Sequence, residues 1–354
     1  MRSSCTYKIT GAKTFRLSSC QILPEFLSIY GKRSKRGWGE NLQNKEKSMR
    51  KMYIPDDGKI FVQVDQSGAE ALIVAYLCRN ASFRKLFING IKPHVFVALH
   101  IFHDVWKRKL VEKGYSLSES FDMKELLEMP IEKLKSHPDW RNLDHCIKDS
   151  DNWSLQERYY YLAKQACHSG NYGITAPTFR MNVLEKSGGK IVISKEDADK
   201  FVNTYNSLFP EIREWHQQVR KQIELTNMLY NLHGEPYTIV KYNILESDWK
   251  EFYAWGPQST VGQITNKAYA RLQQHIESEK RDWDLLANTH DSYLVQCPVG
   301  EEVECSITMR KFMNQKFTSP VDGAEFSMKS EAQAGYNWSP AKQDGTNPEG
   351  LKEI

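Results

Sequence analysis

Asp65 closes the apolar run Lys59-Ile60-Phe61-Val62-Gln63-Val64, and Asp291 sits in Thr289-His290-Asp291-Ser292, between apolar runs at 285–288 and 293–296. A carboxylate at a strand end escapes burial while the sheet beneath holds it still. Brought side by side, two such groups make an oxygen-rich site for Mg²⁺, a hard cation that keeps waters and takes carboxylate and phosphate oxygens. Two such ions about 3.5–4 Å apart can stabilise the attacking and leaving oxygens of an in-line displacement. Taken singly, each aspartate reads first as an ordinary turn residue.

A second constellation is helical. Ser154-Leu155-Gln156-Glu157 has the form of a capping box, which predicts a helix starting at Ser154. Lys164, His168 and Tyr172 then recur every four residues and share one face, until Gly173 and Pro177 stop the helix. A cation, an imidazole and an aromatic ring near two carboxylates suit an incoming nucleoside triphosphate, the lysine meeting phosphates and the flatter groups meeting sugar and base. In isolation the same helix reads as amphipathic, with a solvated lysine.

The elements that must position these groups are legible in outline. Residues 1–60 read as irregular, with turn signals at Gly11, Pro24, 37–39 and 56–58. The strand ending at Asp65 turns through Gln66-Ser67-Gly68 into a helix, Ala69 to Leu77. From about 80 to 230 the pattern is mostly helical, and its charged middle, 106–152, reads as an insertion. The runs around Asp291 predict a hairpin. Helices set into a sheet with strand-rich ends give an α+β class: an antiparallel sheet with helices and an inserted, mostly helical subdomain.

The chain has 354 residues, net charge +4, 40% hydrophobic and 26% charged residues, which permits a sizeable core and nucleic-acid contact without demanding either. No run approaches the roughly 18 apolar residues of a membrane span, and the N-terminus lacks a secretory h-region. Seven cysteines without a C-x-x-C pair argue against a disulfide framework or a zinc ribbon and for a reducing, cytoplasmic setting. Lys32, Arg33, Lys35 and Arg36 between Gly31 and Gly37 read as a solvated loop, the alternative being a phosphate grip. His94, His100, His103 and Asp104 lack a matching ligand set for a transition metal, and Gly188-Gly189-Lys190 lacks P-loop spacing and reads as a turn.

The order of the motifs supplies a family. Val64-Asp65-Gln66-Ser67-Gly68-Ala69-Glu70 resembles the first catalytic motif of family A, DNA polymerase I-like, enzymes; 164–173, from Lys164 to Tyr172-Gly173, resembles their fingers motif; Thr289-His290-Asp291-Ser292 resembles the last palm motif. Phe15-Arg16-Leu17-Ser18-Ser19, Asn41-Leu42-Gln43-Asn44, Phe209-Pro210-Glu211-Ile212-Arg213 and Pro257-Gln258-Ser259-Thr260 fall in the expected places, with spellings most similar to phage members.

The resemblance implies DNA-templated DNA synthesis, with palm at 1–78 and 231–354 and fingers at 79–230. Asp65 and Asp291 would hold two Mg²⁺ ions. Lys164 would contact the triphosphate and protonate departing pyrophosphate, and Glu70 would crowd the sugar 2′ position. Tyr172 would stack near the nascent pair and His168 would lie by the sugar. Arg16, Gln258 and His290 would touch the primer-template end. The implied partners are primer-template DNA and dNTPs.

Several positions depart from the family pattern. Tyr160 stands where an arginine is usual, Ser292 where an acid is frequent, His168 where Phe or Tyr is frequent, and Phe15 where glycine is usual. The resemblance begins almost at Met1, so thumb and exonuclease domains are expected to be absent, with two explanations open: a separate polypeptide supplies them, or the chain is a fragment. Two rival readings are a single-subunit RNA polymerase, against which Glu70 speaks, and a non-catalytic DNA-binding remnant.

Overall fold

The computed structural model describes residues 6–8, 12–20, 41–43, 45, 47–241, 243–342 and 345–354. The basic run at 32–36, Cys5, Asn44 and the turn signals at Gly11, Pro24 and 37–39 lie outside the described residues.

The first sixty residues are less irregular than their sequence suggests. β1 (Thr6–Lys8) and β2 (Ser18–Cys20) pair antiparallel, and a 3-10 turn spans Lys47–Met52. β3 (Lys59–Gln66) runs one residue past Asp65. Gly68 then takes a left-handed conformation, φ 60°, which glycine adopts without a Cβ penalty, and α1 (Ala69–Leu77) starts at its expected residue.

A helical lobe follows. It contains α2 (Ser82–Ile88), α3 (Pro93–Ile101), α4 (His103–Glu112), α5 (Met123–Glu128), α6 (Ile131–Leu134), α7 (Trp140–Asp149), α8 (Tyr159–Gly170), α9 (Ala176–Lys186), α10 (Lys195–Leu208) and α11 (Pro210–Thr226). Far from standing apart, the charged stretch 106–152 buries Trp106, Leu110, Leu126, Leu143 and Ile147 in the main core.

The chain returns through the hairpin β4 (Met228–Tyr230) and β5 (Pro236–Thr238) to α12 (Trp249–Glu279), 31 residues long. Next come β6 (Asp284–Asn288), β7 (Ser292–Pro298), α13 (Glu302–Met313), the pair β8 (Gln315–Thr318) and β9 (Glu325–Met328), β10 (Ser330–Gly335) and β11 (Lys352–Glu353).

β3 is the middle strand of a five-stranded antiparallel sheet, order β11-β10-β3-β7-β6. Period-2 alternation sends Ile60, Val62 and Val64 into the main core, while Phe61 joins a smaller cluster with Leu42, Leu294, Trp338 and Leu351. Asp65 shares the parity of Phe61 and Gln63, so it belongs to the second face.

Lobe and sheet are tied by a buried guanidinium. Arg84 of α2, 1% exposed, donates to the carbonyls of Ala75 (3.0 Å) and Cys78 (2.5 Å) and pairs with Asp322 in the β8–β9 turn. Losing one member of such a network leaves the others desolvated and unmatched. Arg84→Met is expected to destabilise the chain by about 3 kcal/mol, read as a lowered urea midpoint with unchanged slope.

Candidate active site

The two aspartates meet because of strand register. Asp65 lies opposite Ser292 across β3–β7, and the Gln66 amide donates to the Asp291 carbonyl at 3.0 Å, so Asp291 is set immediately beside Asp65. Across β10 the partner of Asp65 is Glu331. Both aspartates are open to solvent, yet the protein around them crowds the carboxylates. Burial, then the charges of Asp291 and Glu331, push the Asp65 carboxyl up to about 7, against the opposing pull of Lys164 and a Ser292 hydrogen bond. Burial also raises Asp291, offset in part by its own backbone amide, Arg16 and Lys164.

Excess negative charge on hard carboxylate oxygens fits a divalent cation of the Mg²⁺ kind. Among the described residues there is no set of three or more His, Cys, Asp or Glu side chains arranged to hold a metal, so water or a bound phosphate would complete the coordination shell around the two aspartates.

The helix bearing Lys164 starts later than the capping box predicts. Ser154 donates to Glu157 at 3.1 Å and opens only a 3-10 turn, Leu155–Glu157. α8 begins at Tyr159, where Ser150, ten positions before Tyr160, accepts the Tyr160 amide at 2.9 Å. α8 ends at Gly170, so Tyr172 lies just beyond it. Lys164 and His168 are exposed, Tyr172 is buried, and the His168 and Tyr172 rings meet edge-on at 5.9 Å. The Lys164 charge acts on both aspartates, so this face is turned to them. Tyr160 contacts the His94 ring at 5.8 Å.

Glu70, on the first turn of α1, gathers the remaining expected groups. Arg16 pairs with its Oε1, the Tyr172 hydroxyl donates to Oε2 at 2.6 Å, and Gln258 of α12 lies 3.5 Å from Oε2. Burial alone would raise the Glu70 pKa, but the Arg16 charge and the Tyr172 hydrogen bond bring it below the usual value. The Arg16 segment lies directly on α12 at Gly262, where a Cβ would stand 2.8 Å from the Thr14 carbonyl. Phe15, in place of the usual glycine, holds φ 58° there, and its carbonyl accepts from Asn266 at 2.7 Å.

His290 also has positive φ, 77°, its amide held by Asn288 Oδ1 at 3.1 Å. Burial, then the Arg16 charge, lowers its pKa, and its Nδ1 is buried without a partner among the described residues. His100 and His103 bond backbone carbonyls at 2.8 and 2.9 Å, while burial and Lys164 bring His94 down to about 4.

The structure therefore brings Asp65, Asp291, Lys164, Glu70, His168, Tyr172, Arg16, Gln258 and His290 into one neighbourhood. It adds Glu331 and Arg50, which sequence reasoning missed. Glu331 sits in an alternating strand with no motif around it. Arg50 lies in a short turn whose composition resembles any solvated basic segment.

A carboxyl raised above its unfolded value near 3.9 weakens the fold once it ionises. The contribution of Asp65 to stability is therefore present below pH 4 and lost as pH rises through about 7. In metal-free buffer, Asp65→Asn is expected to raise Tm at pH 8 by about 2 °C and to leave it unchanged at pH 3, below both values. A thermal-melt series across that range checks this.

A family model described as DNA polymerase family A matches residues 148–340. The chain is 23% identical over 316 residues to DNA polymerase I of Borreliella burgdorferi, covering 84% of this chain and 28% of that protein. It is 21% identical over 311 residues to DNA polymerase I B, chloroplastic/mitochondrial, of Arabidopsis thaliana, covering 85% and 27%. It thus spans under a third of the length of these relatives. Among solved structures, the polymerase domain of Pol1 from M. smegmatis, in complex with DNA primer-template and dNTP, aligns with TM-score 0.60 and 18% identity. That match covers 94% of this chain and 47% of the other. No helix among the described residues is long and apolar enough to cross a membrane.

Proposed function

The chain belongs to DNA polymerase family A, and from that premise we propose that it adds deoxynucleotides to a primer 3′ end under the direction of a DNA template. The observation that carries this reading is the side-by-side placement of Asp65 and Asp291 with the charge of Lys164 acting on both.

Asp65 and Asp291 would hold a pair of Mg²⁺ ions, which would neutralise charge on the attacking and leaving oxygens. The chain's own groups do the rest by positioning and charge. Lys164 faces the phosphates of the incoming nucleotide and, as the primer 3′ oxygen displaces pyrophosphate from the α-phosphorus, gives the leaving group a proton. Glu70, pinned by Arg16 and Tyr172, forms the wall that leaves no room for a 2′ hydroxyl. His168 lies against the sugar, Tyr172 lies beneath the nascent pair, and Arg16, Gln258 and His290 address the primer-template end. Residues 1–78 and 231–354 then act as the palm and 79–230 as the fingers.

Primer extension with Mg²⁺ tests the assignment. Asp65→Asn and Asp291→Asn are each expected to lower the rate about a thousandfold or more, the equivalent of ~4 kcal/mol of transition-state stabilisation. Near-normal extension by either variant, or none by the unaltered chain, removes the proposal. Glu70→Ala is expected to raise ribonucleotide incorporation relative to deoxynucleotide by at least about tenfold. Equal use of both by the unaltered chain would favour an RNA polymerase instead.

A further inference from the structure

Arg50 is a strongly basic side chain on which Asp291 acts, and neither the motifs nor the proposed chemistry gives it a task. It lies in the 3-10 turn Lys47–Met52, with its guanidinium stacked over the Trp338 ring at 4.6 Å. Trp338 is 2% exposed and is itself held in place: its Nε1 donates to Gln63 Oε1 at 2.7 Å, and its amide donates to the Tyr53 carbonyl at 3.1 Å.

Gln63 stands two residues before Asp65 on β3, so the two side chains share a face of the sheet. The stack therefore seats the guanidinium on the face that carries the carboxylates, and Asp291 is the charge that acts on it.

One nitrogen of this guanidinium lacks an acceptor among the described residues. Its Nε is buried without a hydrogen-bond partner, and no carboxylate forms an ion pair with it among the described residues. A planar cation, partly stripped of water, held flat by an aromatic ring and left with its Nε donor unmatched, is costly in the free protein. The same features pre-organise it for a tetrahedral oxyanion.

We propose that Arg50, held by Trp338, is a phosphate-binding residue of the active site, additional to Lys164 and on the sheet side of the cleft. The ligand is a phosphate group bound beside Asp291. Two sources share that chemistry, the last phosphodiester of the primer and the triphosphate of the incoming nucleotide. The inference rests on the polymerase reading above, because only that reading brings either phosphate to the aspartates.

The test uses the full chain in three forms: Arg50→Gln, Arg50→Lys, which keeps charge but not the planar stack, and Trp338→Phe. Binding of a fluorescein-labelled primer-template is followed by anisotropy through a KCl series, and the dATP KM is measured in primer extension. If Arg50 holds the primer phosphodiester, Arg50→Gln weakens duplex binding about tenfold and reduces the slope of log Kd against log salt by about 0.9. If it holds the triphosphate, the duplex slope stays and the dATP KM rises about tenfold. In either case Arg50→Lys is intermediate, and Trp338→Phe weakens the same ligand with its salt slope unchanged.

A lower melting temperature with neither slope nor KM altered would make Arg50 purely structural and overturn the proposal. Should Arg50→Gln not fold, the same readouts on Arg50→Lys and Trp338→Phe decide, and wild-type values in both overturn it. Asp291→Asn separates the two failures. Extension that survives its loss defeats the polymerase reading itself, whereas extension that needs Asp291 but ignores Arg50 defeats only this inference.

Discussion

The β3–β7 register sets Asp65 opposite Ser292 and so lays Asp291 against it, and this pairing holds two like charges together where each raises the cost of ionising the other. Such an arrangement persists only where a stiff scaffold over-determines it. Here Val62 and Val64, fully buried, anchor β3 from the opposite face, with β10 and β7 paired along both of its edges. A slip of one residue in β3 would exchange its two faces and carry Asp65 into the apolar core. The electrostatic strain and the sheet's rigidity are thus one feature. The charge remains ready for a cation because the strands cannot relax away from it.

The second dependence is the knot at Glu70. It joins the N-terminal segment through Arg16, the start of α1, the end of the lysine-bearing helix through Tyr172, and α12 through Gln258. A carboxylate with several donors loses little by partial burial, since each donor favours its charged form. Arg16 in turn reaches Glu70 only because Gly262 lets its backbone lie flat on α12 and Phe15 accepts a left-handed turn there. A bulky residue with φ 58° is a strained choice, and its retention beside the knot is consistent with the segment being held from both sides, by Asn266 and by Glu70.

How much of this was legible depended on range. Strand β3 and helix α1 were readable to within a residue because alternation, a Gly68 turn and an apolar run are local signals. The carboxylates, the lysine face and Glu70 could be named from motif order, and the structure brings all of them together. Local signals failed where a distant partner intervened. The capping box at Ser154 closed on itself as a 3-10 turn, and α8 starts only at Tyr159, with Ser150 accepting the Tyr160 amide. The three-residue strands β1 and β2 were invisible for a related reason, since strands that short have no period and exist only through each other. Arg50 and Glu331 escaped because a cation–π stack and a cross-strand neighbour leave no spacing in the sequence.

Those two overlooked residues bear on how this chain departs from its relatives. Ser292, where an acid is frequent, leaves the β7 neighbour of Asp65 neutral, while Glu331 places a carboxylate at the matching position on β10. Tyr160, where an arginine is usual, leaves Lys164 as the only cation on its face of α8, with a neutral His94 beside Tyr160. Arg50 restores positive charge from the sheet side of the same cleft. Glu331 and Arg50 thus bring one charge of each sign to the aspartates, from β10 and from the turn stacked on Trp338. A field summed over several angstroms tolerates such relocation far better than a hydrogen bond does, because Coulomb energy falls with the first power of distance and has no angular requirement. Asp65, Asp291, Lys164 and Glu70, where geometry is strict, match the motifs the chain resembles. At Tyr160 and Ser292, by contrast, only charge is at stake, and a field can be rebuilt from another direction.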